Sequence, residues 1–266
     1  MSVTSFIPSV WANELLLGFE GQAIIAQCTF PVPTVGNKYI INKFSDITVA
    51  DYKGTVSYAD LNTTAVEVPF DTAKYFAFSI KDLDKAQVAG DLRQPALQNA
   101  SYKMAKTVDD AMVAKILANK QVHAQELALT KANAYEAIVD LNMRLNKKDV
   151  PMSERVILVP YDVLGLLLKD SDFKVNSHHD VMTNGMEVYR VNGVTILPTN
   201  RVADGTIIAL HKSAVAYGMQ LDEVEAMRLE SSFADGIRGL QNFGITVVRP
   251  EAIEIVKPVA SAASAK

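Results

Sequence analysis

Between Leu97 and Ile116 apolar side chains return every three or four positions, at Leu97, Ala100, Met104, Val108, Ala111, Met112 and Ile116. That period marks one face of a helix and predicts a helix over 95–119, roughly 36 Å long at the helical rise per residue. Alanine and methionine on the facing set permit close packing, and Lys103, Lys106, Asp109, Asp110 and Lys115 supply the wet side.

Ahead of this helix the period drops to two. Residues 38–44 read as a strand, 64–68 alternate, and 74–80 place Phe76, Phe78 and Ile80 on one face. Asp51, Lys53, Gly54, Asp60 and Asn62 are turn and solvent chemistry. The stretch 47–61 followed by 74–80 predicts a long two-stranded excursion with a polar tip, an apolar base and no core of its own. An isolated hairpin is marginally stable at best in water, so something outside the subunit is expected to hold it. Further upstream, Phe6 to Leu17 reads as an arm leading into a helix, with Pro8 in the first turn and Trp11 as its hydrophobic anchor, before Pro31 and Pro33 break the pattern.

Downstream, Asn133 to Glu136 has capping-box spacing with Asn in place of Ser or Thr, and a helix is expected to run on to about Lys147. A short strand over 155–159 closes at Pro160, and a Leu-rich helix follows over 163–169. Strands over 188–197 and 206–210 carry turn signals at Asn192-Gly193 and Asp204-Gly205. This middle third reads as an α/β lobe. The last third predicts an antiparallel pair, 222–232 with 243–256, joined by a glycine-punctuated turn at Asp235, Gly236, Ile237, Arg238 and Gly239. Residues 258–266 form a small-residue tail without core-forming content.

With 266 residues, 49% of them apolar, the chain is long enough for a sizeable core. Its 26 basic and 30 acidic residues leave a net charge of −4 with no Lys/Arg-rich block, so nucleic acid is expected to be contacted weakly if at all. Cys28 is the only cysteine, which excludes an intrachain disulfide and reads as a small buried hydrophobe. Glu14 and Glu20 interrupt the N-terminal apolar run, which reads as neither a signal peptide nor a membrane span.

Catalytic motifs for phosphate, dinucleotide, serine-nucleophile and zinc chemistry are absent from the sequence. His178-His179-Asp180 reads as a polar loop, because adjacent histidines diverge and His123 and His211 lie far off in sequence. The carboxylates of Asp222, Glu223 and Glu225 read as a solvated strand face. Asn62-Thr63-Thr64 matches a glycosylation acceptor that has no meaning in a bacterial cytoplasm. The expectation is a protein without catalytic, cofactor or metal residues.

One resemblance spans 6–256. Asp51-Tyr52, Tyr58, Leu61 and Lys74-Tyr75-Phe76-Ala77-Phe78, followed by Asp82 and Asp84, resemble the hairpin of tailed-bacteriophage major capsid proteins with the HK97 fold. Phe6-Ile7-Pro8 with Trp11 resembles that family's arm, Val150-Pro151, Arg155 and Leu166 to Asp170 its lobe, and Phe233-Ala234-Asp235 with Gly239-Leu240 its late loop. The order of these matches along the chain, and no single motif, carries the resemblance.

It implies an α+β HK97-like capsid fold with an N-terminal arm (1–36), an extended β-hairpin loop (37–80), a peripheral domain holding a long spine helix (81–122 with 223–248), and an axial domain with a C-terminal tail (123–222 with 249–266). It further implies a non-enzymatic coat subunit that assembles with itself into hexamers and pentamers of an icosahedral phage head around double-stranded DNA, built in the host cytoplasm. Inter-subunit contacts would fall on Asp51, Tyr52, Lys53, Gly54 and Tyr58 of the loop and Phe6 and Trp11 of the arm; Asp235, Gly236, Arg238 and Gly239 would form an inter-capsomer loop. A portal protein, a separate scaffolding protein and a decoration protein are the implied partners, and no membrane. No charged scaffold segment opens the chain, which is why a separate scaffold is expected. Lys43, Lys53, Glu230 and Asn242 are of the types that cross-link some relatives, without a convincing alignment. The alternative of the same fold is an encapsulin-type compartment; a soluble enzyme would need a constellation in the lobe 123–222.

Overall fold

The computed structural model describes residues 28–34, 36–44, 49, 51–52, 54, 60, 62–82, 93–181, 187–229 and 232–259. Strands β1 (Phe30–Pro31), β2 (Lys38–Phe44), β3 (Thr63–Pro69) and β4 (Thr72–Lys81) precede helix α1 (Arg93–Ala118). A lobe follows: β5 (His123–Glu126), α2 (Ala134–Lys147), β6 (Arg155–Val159), α3 (Tyr161–Leu167), α4 (Ser171–Asn176), β7 (Ser177–Val181), β8 (Glu187–Val191), β9 (Val194–Pro198) and β10 (Ile207–His211). The chain ends in β11 (Val215–Arg228), β12 (Ala234–Val247) and β13 (Ile253–Lys257). The strands form a two-stranded ribbon β2-β3, a four-stranded sheet β1-β11-β12-β4 and a seven-stranded sheet β5-β13-β10-β6-β9-β8-β7.

Helix α1 takes the position its periodicity predicts. It buries Leu97, Met104, Val108, Met112 and Ile116. Asp109, read as solvent-facing, is instead 3% exposed on the buried side. Ala105 and Val113 are buried with it, so the packed stripe is wider than the seven-residue reading and takes in one carboxylate.

The seven-stranded sheet is centred on β10, whose five residues are all buried and which pairs antiparallel with both β6 and β13. Strands β8 and β9 are joined through Asn192 and Gly193, both at positive φ, as expected of a tight hairpin turn. Asn133 precedes α2 but does not close a capping box. Its Oδ1 accepts from the Thr130 N–H at 2.7 Å and its Nδ2 donates to the Ala128 carbonyl, so the side chain braces the incoming loop. Arg155 is buried at the edge of β6 and donates to the Pro151 carbonyl at 2.8 Å, to Asn146 Oδ1 at 2.7 Å, and to Asn142 and the Val150 carbonyl. These oxygens lie at and beyond the C-terminal turn of α2, where cationic charge is favoured. Strand β5, His-Ala-Gln-Glu, has no apolar alternation and escaped sequence reading; it forms because it lies parallel along the already paired β13. His178, His179 and Asp180 correct the polar-loop reading, since they belong to edge strand β7.

The late β pair is longer and earlier than predicted: β11 pairs with β12 from Val215↔Val247 to Arg228↔Asp235, with an irregularity between Leu221 and Glu223. Residues 243–256 are not one strand. β12 stops at Val247, a single 3₁₀ turn at Pro250–Ala252 intervenes, and β13 crosses to the other sheet. Asp235 to Gly239 is therefore strand and not turn, a correction with a steric cause: these glycines serve close approach. A Cβ at Gly236 would meet Leu229 Cδ2 at 2.8 Å, and one at Gly239 would fall inside the ring of Phe76.

The predicted hairpin also changes partners. The ribbon is β2 with β3, in register from Lys38↔Pro69 to Phe44↔Thr63. Residues 74–80 leave it, and β4 forms the outer strand of the four-stranded sheet, paired with β12 from Lys81↔Ala234 to Thr72↔Phe243. Phe76, Phe78 and Ile80 thereby pack on the main core.

Candidate assembly interface

The ribbon packs on the body through its root. Val32, Val68, Phe70, Ala216 and Val248 form a small core separate from the main one, with Tyr39, Ile41 and Val66 packed on it. Beneath it lies a pair of cross-strand glycines, Gly218 and Gly244. A Cβ at Gly218 would meet the Phe70 ring at 2.6 Å and Val32 at 2.9 Å; one at Gly244 would run into the Pro69 carbonyl oxygen. Two bare backbones thus make the seat for the ribbon's base, and Asn242 Nδ2 donates to the Phe70 carbonyl at 3.1 Å beside it. A second tie joins Lys43 Nζ to Glu251 Oε1 at 2.7 Å. Burial acts to raise the Glu251 pKa, but hydrogen bonding and charge from Lys43 outweigh it and hold that carboxyl below its ordinary value.

The other face of the ribbon is exposed among the described residues. Ile40 and Phe44 are exposed on the face opposite Tyr39 and Ile41, and Asp51, Tyr52 and Gly54 are exposed beyond them, Gly54 at φ +93°. Lys53 and Tyr58 lie outside the described residues, as do Phe6 and Trp11 of the arm.

The four-stranded sheet presents the remaining predicted residues. Arg238 is exposed and pairs across β11 with Glu225, Nε to Oε2 at 2.6 Å. Asp235 Oδ1 accepts from Arg228 Nη1 at 3.0 Å, and Arg228 also grips Asp82, which tethers the end of β4 to the β11-β12 turn. Phe233 is 85% exposed immediately before β12, ahead of the glycines. Gly236 and Gly239 are buried in the strand.

Burial, with the nearby Asp109 carboxylate, pushes the Cys28 thiol up to about 12, and burial lowers His211. Among the described residues no group of three or more His, Cys, Asp or Glu side chains is arranged to hold a metal ion, and no helix is long and apolar enough to cross a membrane. The ribbon seat was missed in sequence: its glycines lie 26 positions apart, and their shared role emerges only once the β11-β12 register pairs them.

A family model described as phage capsid protein matches residues 63–257. Among solved structures the chain is similar to one of Mycobacterium phage Che8, with 26% identity over 90% of this chain and 88% of that one, and a TM-score of 0.67. It is similar in fold to the capsid of cyanophage P-SCSP1u (14% identity, 90% and 89% covered, TM-score 0.70) and to a virus-like particle from Pyrococcus furiosus (14% identity, 97% and 100% covered, TM-score 0.62). No curated protein matches it.

Proposed function

This chain belongs to the phage capsid protein family and has the HK97-like α+β capsid fold, and from that premise we propose that it is the coat subunit that forms the hexamers and pentamers of an icosahedral head around double-stranded DNA. The observation that carries the assembly mechanism is the ribbon, seated at one end by Phe70 on Gly218 and Gly244 and otherwise without a core. Ile40, Phe44 and Tyr52 find burial in a neighbouring copy, and many modest contacts of this kind sum to a stable shell.

In this reading Asp51, Tyr52, Lys53, Gly54 and Tyr58 of the extended loop and Phe6 and Trp11 of the arm contact adjacent subunits. Asp235, Gly236, Arg238 and Gly239 support the inter-capsomer contact from within β12, with the exposed Phe233 just before it. The peripheral domain takes α1 with the β11-β12 pair, and the axial domain takes the seven-stranded sheet. Portal, scaffolding and decoration proteins are the external partners, assembly takes place in the bacterial cytoplasm, and DNA is contained with weak contact.

The likeness to a virus-like particle favours a second reading, an encapsulin-type shell around a protein cargo. Electron microscopy and sedimentation of the chain expressed alone and with its scaffolding partner test the first reading. Closed shells, tubes or ring-shaped capsomers support it, and a stable monomer under both conditions removes it. Protein in place of nucleic acid inside native particles selects the second.

A further inference from the structure

Strand β5 closes one side of the seven-stranded sheet, and a buried carboxylate organises the charge beside it. Glu254 of β13 is 1% exposed; its Oε1 accepts from Lys148 Nζ at 2.5 Å, and its Oε2 faces His123 Nδ1 of β5 at 2.7 Å. Both oxygens are thereby engaged. Two more cations, Arg144 and Lys147 in the last turn of α2, line the open cleft of about 530 Å³ at this place, where Glu254 is the one carboxylate.

Arg144 is only half used by the fold. Its Nη2 donates to Gln125 Oε1 across the cleft, whereas Nη1 is buried without a hydrogen-bond partner and stands 4.0 Å from Glu254 Oε2. A buried donor left unbonded carries a desolvation cost, larger for a charged group. Lys147 is exposed and pairs with no carboxylate among the described residues. Basic residues favour a helix C-terminus. That end of α2 is already served, however, by Arg155, which donates to the Asn142 and Val150 carbonyls, and helix charge alone gives no reason for an unbonded guanidinium nitrogen inside a cleft.

We propose that this cleft binds a phosphate group, one oxygen accepting from Arg144 Nη1 and another meeting Lys147 Nζ. With Glu254 answered by Lys148, Arg144 and Lys147 leave two positive charges, one a planar fork and one a mobile point charge. A phosphate group, with acceptor oxygens on several sides, satisfies both together, and a single carboxylate does so less well. The group comes from the backbone of enclosed DNA, a source that rests on the shell reading, or from free phosphate, which does not. On a chain of net charge −4 the contact is a point and not a basic surface.

Titration calorimetry of the unassembled full-length chain with inorganic phosphate at constant ionic strength, beside fluorescence anisotropy with a short DNA duplex over a salt series, tests it. Saturable binding is expected, weakened roughly tenfold by Lys147→Ala and by Arg144→Lys, which keeps the charge and removes the fork. For the duplex, Lys147→Ala is expected to flatten the salt dependence by about one ion. Lys147 is exposed, so its variant leaves the folded body intact. Duplex binding that phosphate displaces upholds the site with DNA as its source, and phosphate binding without duplex binding upholds it with free phosphate. Binding of neither, binding that both variants leave unchanged, or binding of a glutamate-rich peptide in place of phosphate overturns the proposal. Particle formation is scored separately, so failure of the shell reading leaves the phosphate arm legible.

Discussion

The ring of Phe76 on β4 lies across the bare backbone of Gly239, its direct partner on β12, and stacks at 6.2 Å on Phe78. The glycine is there because the ring is: any Cβ would occupy the space of the phenyl edge. Gly239→Ala is expected to destabilise the subunit by about 1–3 kcal/mol through overpacking, and Phe76→Leu combined with it to recover part of that loss. Denaturant unfolding of the two single variants and the double measures this; additive losses would mean that the two positions do not share one space.

Gly218 and Gly244 differ in what confronts them. At Gly244 the obstacle is the backbone oxygen of Pro69, which cannot rotate away, whereas at Gly218 it is the side chain of Phe70 and a methyl of Val32. Gly244→Ala is therefore expected to cost more than Gly218→Ala, by about 1 kcal/mol or more, and to reduce particle yield at equal subunit stability. Thermal unfolding beside sedimentation of assembly products compares them, and equal effects at both sites would remove the seat from the account.

Deleting 48–62 and closing the ribbon with a short turn leaves both described cores in place. The subunit is expected to unfold as the parent does, within about 1 kcal/mol, yet fail to close shells. Circular dichroism and negative-stain microscopy report the two properties independently; normal particles from this variant would sink the loop assignment.

Acid should loosen the ribbon before it unfolds the body. The Glu251 pKa is held below its ordinary value of 4.5 in the fold, so its contribution is present above that value and disappears as pH falls through the lower folded value. Exchange of amides in Lys38–Phe44 is expected to rise over this acidic range, and Lys43→Met to flatten the profile. A profile unchanged by Lys43→Met would separate the ion pair from ribbon anchoring.

How much of this was legible depends on whether the signal was local. The face of α1 and strand β6 repeat within a few residues, and both lie where the sequence predicts. Asp109 was misplaced because a carboxylate on a helix reads as solvent-facing unless its tertiary partners are known. The glycines of β12 read as a turn, since glycine signals a bend and a close approach alike, and only Phe76, some 160 positions earlier, distinguishes them. Partner choice was the weakest point. Residues 74–80 alternate like any hairpin strand, and nothing local indicates that β4 pairs with β12 in place of the ribbon.

The place of β12 between β11 and β4 has a consequence in time. Residues Thr72–Lys81 cannot pair until Ala234–Phe243 has been synthesised, so the sheet that seats the ribbon closes only after this much later stretch of chain exists. Pairings this distant in sequence are slow to form. A nascent chain is therefore expected to hold no oriented ribbon to offer its neighbours until β12 has been made.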